Sequence, residues 1–146
     1  MSKNGLGAEA SLAPLARDEC LTLLRQGSVG RLAVVVADQP HVLPLNYVAD
    51  EKGIIVFRTA ELGTATEAAL AKVAFEIDDI DVTRRQGWSV AVHGDARDIT
   101  SGIDAESERL RQLPVQPWAP GRRDRWFKIV PTEITGRRLT TTGAVS

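Results

Sequence analysis

Within 146 residues there is one cysteine, and there are only two histidines. A lone thiol, Cys20, cannot form an intramolecular disulfide, and it is compatible with the cytoplasmic location expected here. No histidine stands beside it in sequence, so a nucleophilic cysteine is not expected. His93 and Asp95 share a strand face two residues apart, a spacing metal ligands sometimes use. With the second histidine far off at His41, no metal site is expected. No apolar run approaches the ~20 residues needed to cross a bilayer. Met1 to Pro14 carries one lysine and no continuous apolar stretch, so it does not read as a secretory signal. Gly-x-Ser-x-Gly, Walker and Gly-x-Gly-x-x-Gly patterns are missing, which argues against common hydrolase, P-loop and Rossmann chemistry. The net charge is −1, so bulk electrostatics predict neither a nucleic-acid nor a membrane partner. The acidic run Glu76 to Asp81 lacks the glycine and distal glutamate of a calcium loop and reads as a solvated turn.

Hydrophobic residues make up 43% of the chain, enough for one packed domain. That domain is expected over residues 17–139, between flexible tails at 1–16 and 140–146. Arg17 to Gln26 reads as a helix, with Asp18 and Glu19 in its first turn and Gly27 as its stop. Ser28 to Ala37 is an apolar β-branched run expected to be buried on both faces. His41 to Ala49 is a strand whose Pro44 belongs at an edge or a bulge. A hairpin turn leads to a strand ending at Arg58, followed by an Ala-rich helix over Leu62 to Leu70. Strands are predicted over Lys72 to Ile77, Trp88 to Ile99 and Arg125 to Ile134, with a helix from Asp104 to Leu113. Six strands in mostly hairpin order, with short helices, predict a mainly β protein built as a small antiparallel barrel.

The segment Val56 to Thr66 carries the most chemistry. A β run ends in Arg58-Thr59, and a Gly63-Thr64 turn opens the next helix. A guanidinium, hydroxyls and free backbone N–H groups at such a junction make an anion cradle. The alternative is an Arg58 bridged to Glu61 or Glu67 on the surface. Residues 122–138 hold six basic side chains against Asp124 and Glu133; they face either an anionic ligand or solvent.

The order of segments is more specific than any one of them. Gly27-Ser28-Val29-Gly30-Arg31-Leu32-Ala33 precedes Val42-Leu43-Pro44-Leu45-Asn46-Tyr47 and Val56-Phe57-Arg58-Thr59. Then come Val73-Ala74-Phe75-Glu76-Ile77-Asp78, Gly87-Trp88-Ser89-Val90, Pro117-Trp118-Ala119-Pro120-Gly121 and a final stretch from Trp126 to Arg138. From about Arg17 to Leu139 the chain resembles the pyridoxamine 5′-phosphate oxidase-like split-barrel flavoproteins, in the small actinobacterial-type branch akin to nitroimidazole-resistance proteins. The resemblance implies a six-stranded split β-barrel, dimeric, with FMN in two clefts between subunits. It implies that Leu43, Pro44, Leu45 and Asn46 lie beside the flavin ring. Phe57, Arg58, Thr59 and Ala60 would follow the flavin to its phosphate, and Gly63 and Thr64 would close the phosphate turn. Trp88 and Ser89 would approach from the same or the partner subunit, and Trp118 would pack near the ring. Relatives commonly carry lysine in that turn, where this chain has Ala65.

The expected activity is that of an FMN-dependent oxidoreductase, a flavin reductase or nitroreductase-like enzyme. It would pass hydride or electrons between a nicotinamide dinucleotide and a small acceptor, with Tyr47 or His41 as candidate proton donors. Two alternatives stay open. One is a non-catalytic flavin- or ligand-binding protein, the cofactor weakly held or absent. The other is a reductase of the same fold using a deazaflavin.

Overall fold

The computed structural model describes residues 9–142. In chain order the elements are β1 (Glu9–Pro14), α1 (Arg17–Gln26), β2 (Val29–Val36), β3 (Gln39–Asn46), β4 (Val48–Ala49) and β5 (Ile55–Thr59). They continue with α2 (Thr64–Ala69), β6 (Val73–Asp81), β7 (Gln86–Asp98), α3 (Ala105–Leu110) and β8 (Arg125–Thr142). The strands form one antiparallel sheet in the order β3-β2-β6-β7-β8-β5-β4, with β1 added on β8.

Closure follows from the covalent chain. β3 and β4 lie at opposite ends of that order, yet only Tyr47 separates them in sequence. The kink at Tyr47 therefore joins the two ends of the sheet and rolls it into a barrel. β8 makes the split: one edge pairs with β7, the other first with β5 over 125–129 and then with β1 over 137–142. The result is the expected mainly β split barrel, with β1 added to the six predicted strands and the second of them, His41 to Ala49, divided at Tyr47 into β3 and β4.

The main core lies inside the barrel, where Leu32, Val34, Phe75, Ile77, Val90, Val92, Phe57 and Phe127 meet. Phe57 and Phe127 stack with centroids 5.6 Å apart. α1 packs on this core through the fully buried Cys20 and Leu24, and burial pushes the Cys20 thiol up. A second cluster, Ile54, Val56, Ile99, Leu110 and Val115, lies on the other face of β5 with α3. Asp104 caps α3 by accepting from the Ser107 N–H at 3.0 Å.

Several sequence expectations change here. Glu9–Pro14 is a strand rather than part of a loose tail, held by six residues of register on β8. Thr140–Thr142 belong to β8 for the same reason. β2 buries Gly30, Leu32 and Val34 but exposes Val29, Arg31 and Val35, so only one of its faces is core. Asp78 to Asp81 extend β6 instead of turning, because each pairs with β7 out to Gln86. On the outer side of the sheet Arg31 bridges Glu76 and Asp78, each at 3.1 Å. Partial burial, followed by the hydrogen bond and charge of Asp78, pushes the Glu76 carboxyl up despite Arg31. β8 runs past the expected end at Ile134 to Thr142, and at Pro131 the register shifts by a bulge between His93 and Gly94, where Gly94 meets Pro131.

Candidate functional site

β3 is an edge strand, so the missing N–H of Pro44 is tolerated there. Leu43 and Leu45 stand opposite Leu32 and Gly30, while Pro44 stands opposite Arg31. Leu45 packs against the core; Leu43 is 49% exposed, a large apolar side chain open to solvent. Asn46 ends the strand. Its Nδ2 donates to the Ser28 carbonyl at 3.3 Å, and its Oδ1 accepts from the backbone N–H of Trp118 at 2.8 Å.

Trp118 lies on the Pro-rich loop between α3 and β8 and is 74% exposed, an unusual position for an indole. The loop leaves the core at Val115, which is buried, and turns at Gly121, whose φ of +101° favours glycine. Arg58 fastens its two ends. Nη1 donates to the Val115 carbonyl and Nε to the Arg123 carbonyl, both at 3.1 Å. The guanidinium also lies over the Trp126 ring, 4.9 Å from its centroid, as expected for cross-strand neighbours. Arg58 therefore does not hold its whole fork free for an anion, and it makes no bridge to Glu61 or Glu67. It points to the second-cluster side of β5, with Val56, because side chains alternate along the strand.

The turn after β5 is open. Thr59 is half-buried and its hydroxyl donates to the Ala60 carbonyl at 2.7 Å. Ala60, Gly63, Thr64 and Ala65 are exposed, and a Cβ at Gly63 would meet nothing within 4 Å. α2 is only six residues long and has no side-chain cap, so its dipole adds little. Phe57 is corrected: it is 1% exposed inside the barrel and cannot face a ligand.

Trp88 and Ser89 stand elsewhere, on β7 opposite Asp79 and Asp78. They line a groove of about 540 Å³ with Leu12, Ile80, Val82 and Leu139. Neither Arg58, Asn46 nor Trp118 borders that groove, so one chain does not bring all the expected residues together. Tyr47 is also corrected as a proton donor. It is 2% exposed, its hydroxyl donates to the Leu24 carbonyl at 2.7 Å, and burial pushes its pKa far up. His41 is exposed but lies five residues along β3 from Asn46, about 17 Å away at strand rise. The basic stretch is largely neutralised: Arg122, Arg125, Lys128 and Arg138 pair with Asp124, Asp98, Glu106 and Glu19.

Sequence reasoning missed Val115 and Arg123 as the partners of Arg58. Both partners are backbone carbonyls, which any residue supplies, so no side-chain pattern marks them. The usable signal was the alternation Val56, Arg58, which puts the guanidinium outside the barrel.

Comparison with known proteins agrees with this architecture. The family described as pyridoxamine 5′-phosphate oxidase matches residues 16–138. The uncharacterized Mycobacterium tuberculosis protein Rv0080 is 33% identical over 131 residues, covering 86% of this chain and 84% of its own. The structure of an FAD binding protein from Mycobacterium smegmatis is 37% identical with a TM-score of 0.68, covering 87% of this chain and 98% of that one. An FAD-binding protein from Mesorhizobium loti shares the fold at 22% identity, with a TM-score of 0.70 over 90% of this chain and 99% of that one. The barrel is thus a fold that flavin-binding proteins use, and this chain belongs to the pyridoxamine 5′-phosphate oxidase family.

Proposed function

We propose that the protein is a flavin-dependent oxidoreductase that moves hydride or electrons between a nicotinamide dinucleotide and a small acceptor. The observation that carries this reading is Trp118, a bare indole on a loop fastened to the end of the β3 edge. The residues fit a planar ring better than a phosphate. Leu43 and Trp118 offer apolar and aromatic surface, whereas the turn offers only hydroxyls and backbone N–H groups at Thr59, Gly63 and Thr64. FMN is the favoured flavin; FAD is the second choice, since two proteins of this fold are described as FAD-binding.

When bound, the flavin supplies the redox chemistry, accepting hydride and passing electrons on. The chain supplies position and access. Leu43 would shield one edge of the ring from water, and Trp118 would cover the ring. The Thr64 hydroxyl would hold a phosphate oxygen, with Thr59 joining it only by giving up its bond to the Ala60 carbonyl. Trp88 and Ser89 belong to a second half-site, which a partner copy of the chain brings to the cleft. On this reading the protein would be a homodimer with two equivalent clefts.

A non-catalytic flavin carrier is the second reading, favoured by the buried and hydrogen-bonded phenol of Tyr47, which leaves the cleft without that acid. An absorption spectrum of the purified protein, with mass analysis of any released cofactor, tests flavin binding. Steady-state assays with both reduced nicotinamides then separate enzyme from carrier. Colourless protein that takes up neither FMN nor FAD would end the flavin reading; flavin-loaded protein without turnover would leave the carrier.

A further inference from the structure

We infer that Arg58 and Asn46 are positioning residues, which together hold the loop of residues 115–123 so that Trp118 presents its indole to the flavin ring. The inference rests on the flavin reading above. Arg58 ties the two ends of the loop through the Val115 and Arg123 carbonyls and stacks on Trp126 at its root. Asn46 ties the middle of the loop through the Trp118 N–H. Asn46 is itself braced on Ser28, next to the Tyr47 kink that closes the barrel. Pro117 and Pro120 restrict the backbone between these ties. The indole receives no share of this fastening: the backbone of Trp118 is bonded and its side chain is 74% exposed. A tryptophan buried for stability shows the reverse pattern. A loop closed at both ends and pinned at its middle spends its ordering entropy before a ligand arrives, which is the condition for a preformed stacking wall.

Arg58 thus acts on the flavin through Trp118 and not through phosphate, and the two roles separate by ligand. FMN and riboflavin share the ring; only FMN has the phosphate. With the full chain, Arg58→Ala and Asn46→Ala are each expected to weaken FMN and riboflavin by the same factor, roughly five- to tenfold, the worth of one aromatic stack. Trp118→Ala should do the same, and Arg58→Ala combined with Trp118→Ala should weaken binding no further. Trp118→Phe keeps a ring and should recover most of the affinity. Arg58→Lys cannot reach both carbonyls and should behave like Arg58→Ala. Asn46→Asp keeps the acceptor for Trp118 but loses the Nδ2 donor to the Ser28 carbonyl, so its affinity for both flavins should fall between wild type and Asn46→Ala.

Flavin titration, with thermal melting of the flavin-free variants, reads these outcomes. If Arg58→Ala fails to fold, the Asn46 and Trp118 variants decide alone. Loss of FMN affinity with riboflavin unchanged, recovered by Arg58→Lys, would make Arg58 a phosphate ligand and overturn the inference. So would additive effects of the Trp118 change with Arg58→Ala or Asn46→Ala, or unchanged affinity for both flavins. Wild-type protein that binds neither flavin nor FAD would instead overturn the flavin reading, and this inference with it.

Discussion

Tyr47, the only tyrosine, shows how one side chain sets both stability and chemistry. Its hydroxyl bonds the last turn of α1, and its ring meets Phe75 edge-on at 4.9 Å between centroids. Tyr47→Phe leaves the Leu24 carbonyl without this donor and should cost about 1–3 kcal/mol, read as a lower urea midpoint. Burial raises the phenol pKa in the folded state. Above pH ~10 the unfolded chain loses this proton while the folded one keeps it, so stability falls as pH rises. Comparing urea midpoints at pH 8 and pH 11 should show that part of the loss vanishing in Tyr47→Phe. Ala65 is the complementary case, an exposed position where a charge is missing. If phosphate lies in its turn, Ala65→Lys should tighten FMN by roughly 1.5–3 kcal/mol, about one to two decades, and leave riboflavin unchanged. Equal tightening of both ligands would place the phosphate elsewhere.

At the level of elements, glycines mark where strands come too close for a side chain. A Cβ on Gly30 of β2 would sit 2.1 Å from the Phe75 ring of β6, and Phe75 is fully buried. Gly30→Ala should therefore destabilise by about 1–3 kcal/mol through overpacking, measured by calorimetric melting. A change within ±0.5 kcal/mol, the usual scatter of harmless substitutions, would mean that the ring moves freely. The element boundaries show why some of this was legible. Helix α1 carries its own start and stop in Asp18, Glu19 and Gly27, and it runs over Arg17–Gln26 as read. Pro44 marked β3 as an edge because proline lacks a donor. The strand character of Asp78 to Asp81 was hidden, since an acidic run forms strand only when a neighbour, here β7, supplies the ladder.

The whole molecule presents an outer sheet face that one chain leaves open. Val35 and Val42, 58% and 64% exposed, lie at the β2–β3 hairpin end. Leu12 and Ile80, 60% and 59% exposed, border the groove beside Trp88 at the other end, with Arg31, Glu76 and Asp78 between the two pairs. Exposed apolar side chains beside a groove favour a partner surface. With Trp88 and Ser89 set apart from Trp118, a two-fold dimer is the expected assembly. Light scattering at micromolar concentration should give twice the mass of one chain. Val42→Asp should shift the protein toward monomer and weaken flavin binding in parallel, because each cleft then lacks its second half. A monomeric wild type with full flavin affinity would show that one chain completes the site.

The sequence alone determined the things that local chemistry encodes. These are the β alternation, the first helix with its acidic first turn, the edge proline, and the ordered segments that carry the family resemblance. Such signals lie within a few residues of one another, where propensity, turns and capping act directly. The tertiary structure decided what depends on distant partners. It turned Glu9–Pro14 into a strand, since β8 offers it a free edge beyond β5. It buried Phe57 and Tyr47, which strand sequence alone allows on either face. It also committed Arg58 to two carbonyls 57 and 65 residues away, contacts that exist only once β5, β8 and the loop are packed together.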